Sequence, residues 1–219
     1  MAKIRAVVLD VDGTVVTCPY DFAAMRAAVA RIAAAHGVDV AQLGARGVLE
    51  QIEAVSARVG EGRSRFRAEA EQAVEEIEVA AAERARFLPG AAEALGALRG
   101  RGVAVALITR NCRAVTAAVL GGWADYDVLL TRNDVPAVKP DPDHVRRALA
   151  HVDGAPQTAA MVGDHAFDMQ AGRAAGMRVC VGVRTGNSRD ESLLAAGAHA
   201  VIESLADFPG WLTAYEEAG

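Results

Sequence analysis

The segment Ala6-Val7-Val8-Leu9-Asp10-Val11-Asp12-Gly13-Thr14 joins a short apolar run to two carboxylates and a glycine. A continuous apolar run of this length is typical of a strand that is buried on both faces of a parallel sheet. Open α/β sheets bind ligands at the carboxyl ends of their strands, which is where Asp10 and Asp12 stand. Two like charges so close together favour a cation between them, although an acidic turn without a metal would have the same sequence.

Later apolar runs predict the remaining strands of the sheet. Helical patterns separate these runs, so the sequence predicts an α/β fold with a doubly wound, Rossmann-like parallel sheet. The predicted strands lie at 103–108, 128–130, 159–162 and 179–183, with a weaker candidate at 200–202. The predicted helix starts are an N-cap at Asn111, an N-cap at Asp141 before Pro142, and a capping box of Ser188 and Glu191.

The long stretch between the first two strands contains no convincing strand and predicts three helices, at 22–35, 48–59 and 64–86. The third has an apolar stripe at steps of three and four, which we interpret as a surface that packs against the other two helices. We therefore expect an all-helical cap domain at 17–88, inserted into an α/β core domain made of 1–16 and 89–219. The stripe consists of Phe66, Ala70, Val74, Ile77, Ala81 and Ala85.

Three further segments carry polar groups near strand ends. Thr109 and Asn111 follow the second strand, where a hydroxyl and backbone N–H groups can hold a phosphate, although simple helix capping would use the same residues. Lys139 is one of only two lysines in an arginine-rich chain, and an ammonium is a natural partner for phosphate oxygens. Asp164 ends another strand and could ligate a cation, while Asp168 either caps the next helix or supports Asp164 and Lys139.

Taken in order, these four segments resemble the haloacid dehalogenase-like hydrolase superfamily. The resemblance rests on D-x-D-G-T at 10–14, the strand-terminal Thr109, the pair Lys139-Pro140, and G-D-x-x-x-D at 163–168. It covers nearly the whole chain, and the phosphoglycolate phosphatase-like branch is the most similar in appearance. The helical insertion resembles the family's mobile cap of the first type.

The resemblance implies a phosphatase that hydrolyses a small phosphorylated metabolite, such as phosphoglycolate or a sugar phosphate. Asp10 would be the nucleophile that forms an aspartyl-phosphate, and Asp12 the general acid and base. Mg²⁺ would be held by Asp10, the Asp12 backbone carbonyl and Asp164. Thr109 and Lys139 would contact the phosphoryl oxygens, and Lys139 would also keep Asp10 ionised.

The second segment departs from the family pattern, because Arg110 stands between Thr109 and Asn111 where a Thr-Asn pair is usual. Arg110 and Asn111 are therefore candidate substrate-binding residues. The alternative for Arg110, which we favour, is that it points away and pairs on the surface. In the cap, Arg46, Arg58, Arg63 and Arg65 could contact a second anionic group of the substrate, although we favour a solvated surface position for each of them.

Other activities of the superfamily remain alternatives. A phosphomutase shares the same residues but must keep water from the aspartyl-phosphate. Dehalogenation needs no metal, and members with that activity typically lack the second acid, so Asp12 argues against it. Phosphonate cleavage needs a cap lysine, and 17–88 contains none. A catalytically idle binding protein is not favoured by any residue, because every expected functional group is present.

The composition limits the partners. A formal net charge of -5 gives no electrostatic footprint for nucleic acid, and no uninterrupted apolar run is long enough for a membrane span. Three widely spaced cysteines without a C-x-x-C pair favour a reduced, cytoplasmic protein. The expected partner is a small phosphorylated substrate, and the sequence does not indicate an oligomeric state.

Overall fold

The structure, a computed structural model, describes residues 3–44, 47–123 and 125–218. The chain divides into two compact units, one made of Met1–Cys18 and Ala85–Gly219 and the other of Pro19–Arg84. The assignment of these units as a core and a cap domain, with the bounds given above, stays a prediction. Among the described residues, no helix combines the length and the apolar character that crossing a bilayer requires.

Eight strands are present in the described residues, and six of them form one parallel sheet in the order β5-β4-β1-β6-β7-β8. The strands are β1 (Ala6–Asp10), β2 (Val16–Thr17), β3 (Arg86–Phe87), β4 (Ala104–Ile108), β5 (Val128–Leu130), β6 (Ala159–Gly163), β7 (Val179–Val183) and β8 (Ala200–Ile202). The chain proceeds from β1 to β4 and β5 on one side and returns to β6 on the other. The carboxyl ends of β1, β4 and β6 therefore meet at a topological switch point, where sheets of this kind bind ligands.

The α-helices of the described residues lie between these strands, after β8 or in the second unit. They are α1 (Phe22–Ala35), α2 (Val48–Ser56), α3 (Arg63–Ala82), α4 (Ala91–Gly100), α5 (Arg113–Leu120), α6 (Pro142–His151), α7 (Ala166–Ala175), α8 (Asp190–Ala195) and α9 (Phe208–Glu217). The α/β fold predicted from the sequence is confirmed, and each predicted strand agrees with an observed one to within one residue at either end.

Both faces of the central strands are buried, which explains why these strands are continuously apolar. In β1 the side chains of Val7 and Leu9 lie on one face and those of Ala6 and Val8 on the other, and all are buried. Ala6 and Val8 belong to a cluster that includes Val145 and Leu149 of α6 and Met169 of α7. This packing fixes the end of β1 against the helices that carry the later site residues.

The helical unit has its own apolar core. Phe66, Ala70 and Val74 of α3 are buried in a cluster with residues of α1 and α2, and Ile77 packs against it. The stripe on the third helix is therefore a packing surface, as predicted. That helix ends at Ala82 and not near residue 86, because Arg86–Phe87 pairs as a strand with Val16–Thr17.

Two predicted helix starts are wrong and one is confirmed. Helix α5 begins after Cys112, because the Asn111 amide donates to the Asp12 carboxylate instead of capping the helix. Helix α8 begins after Arg189 and has no side-chain cap, so Ser188 does not form a capping box. Asp141 does cap α6, since its side chain accepts from the Asp143 N–H with Pro142 at the first helical position.

Candidate active site

Three buried carboxylates and one buried ammonium meet at the switch point. Asp10 ends β1, Asp164 follows β6, and Asp168 lies in the first turn of α7; each offers an oxygen, and these oxygens lie within 4.8 Å of one another. The Lys139 ammonium contacts the Asp10 carboxylate and lies 2.6 Å from Asp168 Oδ1. All four side chains are at most 9% exposed, so water screens their interactions weakly.

The electrostatics of this cluster follow from burial. Burial raises the pKa of Asp10 above its usual range, and the Lys139 charge opposes that shift. Burial, together with the neighbouring charges of Asp10 and Asp168, raises the pKa of Asp164 to about 9. Burial also disfavours the Lys139 charge, but the two carboxylates outweigh it and raise the pKa of Lys139.

The donor set fits a divalent cation. Three carboxylates against one ammonium leave an excess of negative charge in a buried space, and oxygen ligands are those that hard cations prefer. Burial beside other carboxylates raises the pKa of both Asp10 and Asp164, which favours either protonation or a neighbouring cation. The sequence-based set was Asp10, Asp12 and Asp164, whereas the carboxylate cluster consists of Asp10, Asp164 and Asp168. Asp12 was expected to bind the metal through its backbone carbonyl, and that contact stays a prediction.

Asp168 has both of the roles that the sequence left open. Its Oδ2 accepts the His165 backbone N–H at 2.9 Å and thereby closes a capping box at the start of α7. Its Oδ1 faces Lys139. The same carboxylate thus fixes the helix after β6 and holds the lysine from the side opposite Asp10.

Asp12 has a different environment from Asp10. It is half-buried, and its Oδ2 accepts the Thr109 hydroxyl at 3.0 Å and the Asn111 amide at 2.8 Å. Thr109 and Asn111 therefore orient the second acid of the D-x-D motif. Contact of Thr109 or Asn111 with a substrate stays a prediction.

Arg110 lies against the loop that carries Lys139. Its guanidinium donates to the Lys139 carbonyl at 3.0 Å, and its Cζ lies 4.8 Å from the centre of the Phe167 ring. The side chain is half-buried. These contacts do not support the surface interpretation, while substrate binding by Arg110 stays a prediction.

The candidate cap arginines lie apart from this cluster in the chain. Arg58, Arg63 and Arg65 are exposed, and Arg65 pairs with Glu69 at 2.8 Å. Arg46 lies outside the described residues. A contact of any of them with a substrate stays a prediction.

Sequence reasoning missed the contribution of the loop after β7. The Thr185 hydroxyl donates to the Gly13 carbonyl at 2.5 Å, and a Cβ at Gly186 would lie 1.7 Å from Asp164 Oδ2. A Cβ at Gly13, whose φ is +86°, would also overlap with Asp164. The position of Thr185, two residues after a predicted strand, was the available signal.

Sequence reasoning also missed His144, whose side chain is fully buried on α6. The signal was a histidine on the apolar side of an amphipathic helix shortly after Lys139. Burial is the main reason that the pKa of His144 is lowered to about 4, and the Lys139 charge adds to the effect.

Comparison with known proteins supports this fold and identifies the family. The family model described as haloacid dehalogenase-like hydrolase matches residues 4–176, and the chain therefore belongs to that family. The chain is 37% identical over 128 residues to a plasmid-encoded phosphoglycolate phosphatase of Cupriavidus necator, covering 57% of this chain and 55% of that protein. It is 29% identical over 225 residues to a phosphoglycolate phosphatase of Thiobacillus denitrificans, covering 93% of each.

The solved structure of a hydrolase from Pseudomonas syringae has the same fold, with a TM-score of 0.71 at 23% identity, covering 96% of this chain and 98% of that one. The chain spans about half the length of the first curated relatives it matches.

Proposed function

We propose that this protein is a Mg²⁺-dependent phosphatase that hydrolyses a small phosphorylated metabolite through an aspartyl-phosphate on Asp10. The observation that carries the proposal is the buried contact of Asp10 with Lys139, beside Asp164 and at the switch point of the sheet. The Lys139 ammonium opposes the effect of burial on the Asp10 pKa and so favours the carboxylate form, which is the competent nucleophile toward phosphorus. Membership of the hydrolase family supports the same chemistry.

In the first step an Asp10 oxygen forms a bond to phosphorus while the bond from phosphorus to the leaving oxygen breaks. The Lys139 ammonium offsets the Asp10 charge in the free enzyme and the phosphoryl charge in the transition state. Asp12, held by Thr109 and Asn111, gives its proton to the leaving oxygen.

In the second step water attacks phosphorus, the Asp12 carboxylate takes the proton of that water, and the bond from Asp10 to phosphorus breaks. Inorganic phosphate leaves, and both aspartates return to their starting states. The roles of nucleophile and proton carrier suit the two environments. Asp10 contacts the Lys139 ammonium, whereas Asp12 accepts hydrogen bonds from neutral donors.

Mg²⁺ would be held by Asp10, Asp164 and the Asp12 backbone carbonyl, and when bound it would neutralise charge on the transferring phosphoryl group. Asp168 would stay engaged with Lys139 and the α7 N-terminus and so support the ligands from behind. The proposal for the metal rests on the excess of buried carboxylates over ammonium groups.

The names of the relatives indicate the substrate class, a small phosphorylated metabolite. The net charge of -5 gives no electrostatic footprint for a nucleic-acid substrate. The Cupriavidus necator and Thiobacillus denitrificans relatives are both named phosphoglycolate phosphatase, so phosphoglycolate is the first substrate to test. Arg110 beside Lys139 is the proposed contact for a second anionic group of such a substrate. The helical unit is the proposed cap domain.

A panel of phosphorylated metabolites assayed for phosphate release tests the proposal. Wild-type protein with Mg²⁺ should release phosphate from phosphoglycolate or another small ester, while Asp10→Asn should lose at least about a thousandfold in kcat. Thorough chelation should abolish turnover, and Mg²⁺ should restore it. Isomerisation of sugar phosphates without phosphate release would point to a mutase, and activity of Asp10→Asn near the wild-type rate would remove the nucleophile assignment.

A further inference from the structure

His144 joins two segments of the site through its imidazole ring. Its Nδ1 lies 3.4 Å from the backbone nitrogen of Lys139, and its Nε2 lies 3.1 Å from the carbonyl oxygen of Leu130 at the end of β5. The Lys139 nitrogen can only donate and the Leu130 oxygen can only accept. The neutral tautomer with its proton on Nε2 therefore satisfies both contacts.

The Leu130 carbonyl has a second partner in the site. The Thr109 backbone N–H donates to it at 3.0 Å, directly after β4. One carbonyl oxygen thus anchors the Thr109 backbone on one side and the His144 ring on the other. Through the ring, the backbone of Lys139 is tied to the same point of the sheet edge as Thr109.

Lys139 depends on such an anchor, because it lies between β5 and α6 outside any strand or helix. Its side chain must nevertheless reach Asp10 and Asp168 in a buried space. The ring of His144 is itself fully buried and sits in the first turn of α6, which the Asp141 cap fixes. A rigid ring between the helix and the sheet edge sets how far the Lys139 backbone stands from β5.

We propose that His144 is a positioning residue, which places the Lys139 ammonium beside Asp10 by bridging the Lys139 N–H and the Leu130 carbonyl. Its kinetic consequence rests on the proposed phosphatase function, whereas its structural consequence does not. A displacement of about 1 Å in a group that acts in the transition state can lower a rate about a hundredfold. Loss of the bridge should therefore lower kcat with little change in KM.

Three variants separate positioning from general stability. His144→Leu keeps the bulk of the ring but removes both hydrogen bonds. His144→Gln retains an amide that can donate to Leu130. Val145→Ala is the matched control, because Val145 is fully buried on the same helix and its truncation loses core packing without altering a polar contact.

We expect kcat of His144→Leu to fall by at least about tenfold, with KM within about threefold of wild type. His144→Gln should recover most of the loss, and Val145→Ala should keep kcat within about threefold although it unfolds more easily. Equal kcat values for His144→Leu and Val145→Ala at matched stability would overturn the proposal.

A spectroscopic measurement tests the structural part without any substrate. Lys3 and Lys139 are the only lysines, so protein labelled with [¹⁵N]lysine should give two backbone amide signals, with Lys3 as internal reference. In wild type, the Lys139 amide should be protected from hydrogen exchange, and in His144→Leu its signal should shift and lose protection. An unshifted, equally protected Lys139 signal would contradict the bridge.

If His144→Leu does not fold, a measurement on the wild-type protein alone still tests the bridge. The ¹⁵N spectrum of the His144 ring should show the tautomer protonated on Nε2, and a ring protonated on Nδ1 would rule out the bridge. If wild type releases no phosphate but shows this tautomer and a protected Lys139 amide, the proposed function fails and the positioning role stands. If wild type is active but the ring and the amide behave otherwise, only the positioning role fails.

Discussion

At the scale of single residues, the D-x-D motif separates two acids by their surroundings. Asp10 is buried against Lys139 and Asp164, and burial raises its pKa while the ammonium opposes that shift. Asp12 is half-buried, and its Oδ2 accepts hydrogen bonds from a neutral hydroxyl and a neutral amide. In the proposed mechanism, Asp10 attacks phosphorus and Asp12 exchanges protons, which suits the difference between their surroundings.

Asp12→Asn should therefore affect substrates according to their leaving group. A poor leaving group such as a glycolate oxygen needs the proton of Asp12, whereas p-nitrophenolate leaves without one. We expect kcat/KM for phosphoglycolate to fall at least about a hundredfold more than kcat/KM for p-nitrophenyl phosphate. Steady-state kinetics on both substrates measure this ratio, and an equal loss on both would argue against Asp12 as general acid.

At the scale of elements, the loop after β7 helps to shape the site. The Thr185 hydroxyl holds the Gly13 carbonyl, and Gly186 leaves space that the Asp164 carboxylate fills. The loop after β7 thus fixes both the turn after β1 and the position of Asp164 after β6. Parallel sheets collect such contributions because all of their carboxyl ends lie on one edge.

Gly186→Ala should displace the Asp164 carboxylate, since the added Cβ would lie 1.7 Å from Asp164 Oδ2. We expect the Mg²⁺ concentration for half-maximal activity to rise at least about tenfold, in line with the effect of disturbing residues that orient metal ligands. Gly96→Ala on α4 is the control, because a Cβ there meets no atom within 4 Å. A Mg²⁺ titration gives the comparison, and identical curves for the two variants would contradict this account of the loop.

The elements also show where sequence reasoning succeeds and where it ends. The parallel strands were predicted because burial on both faces leaves a continuous apolar run, as in Ala159–Gly163. The pairing of Val16–Thr17 with Arg86–Phe87 was missed, because strands of two residues show no periodicity. The whole helical unit also separates the two strands in the sequence. Asn111 was predicted as a cap because its competing partner, Asp12, is distant in sequence.

At the scale of the whole molecule, the buried neutral imidazole of His144 makes the free energy of unfolding depend on pH. The pKa of His144 is lowered from 6.5 to about 4, mainly by burial. Between these values the unfolded chain binds a proton at His144 and the folded chain does not. The free energy of unfolding must therefore fall as the pH is lowered through this window.

We expect wild type to lose up to about 3 kcal/mol relative to His144→Gln between pH 6.5 and pH 4. Other titrating groups are common to both proteins and cancel in the difference. Urea unfolding at several pH values measures it. A difference that stays constant over this range would show that His144 titrates normally in the folded protein.

The family assignment, the switch point and the buried cluster all lead to one central claim, that Asp10 becomes covalently phosphorylated. Asp12→Asn should accumulate this intermediate from p-nitrophenyl phosphate, because the first step needs no proton there but the second lacks its base. The protein would be acid-quenched, reduced with borohydride and digested, and its peptides analysed by mass spectrometry.

We expect residue 10 to be converted to homoserine, the reduction product of an aspartyl-phosphate, only when substrate is added. Modification at another residue, or an unmodified Asp10 while the enzyme turns over, would contradict it.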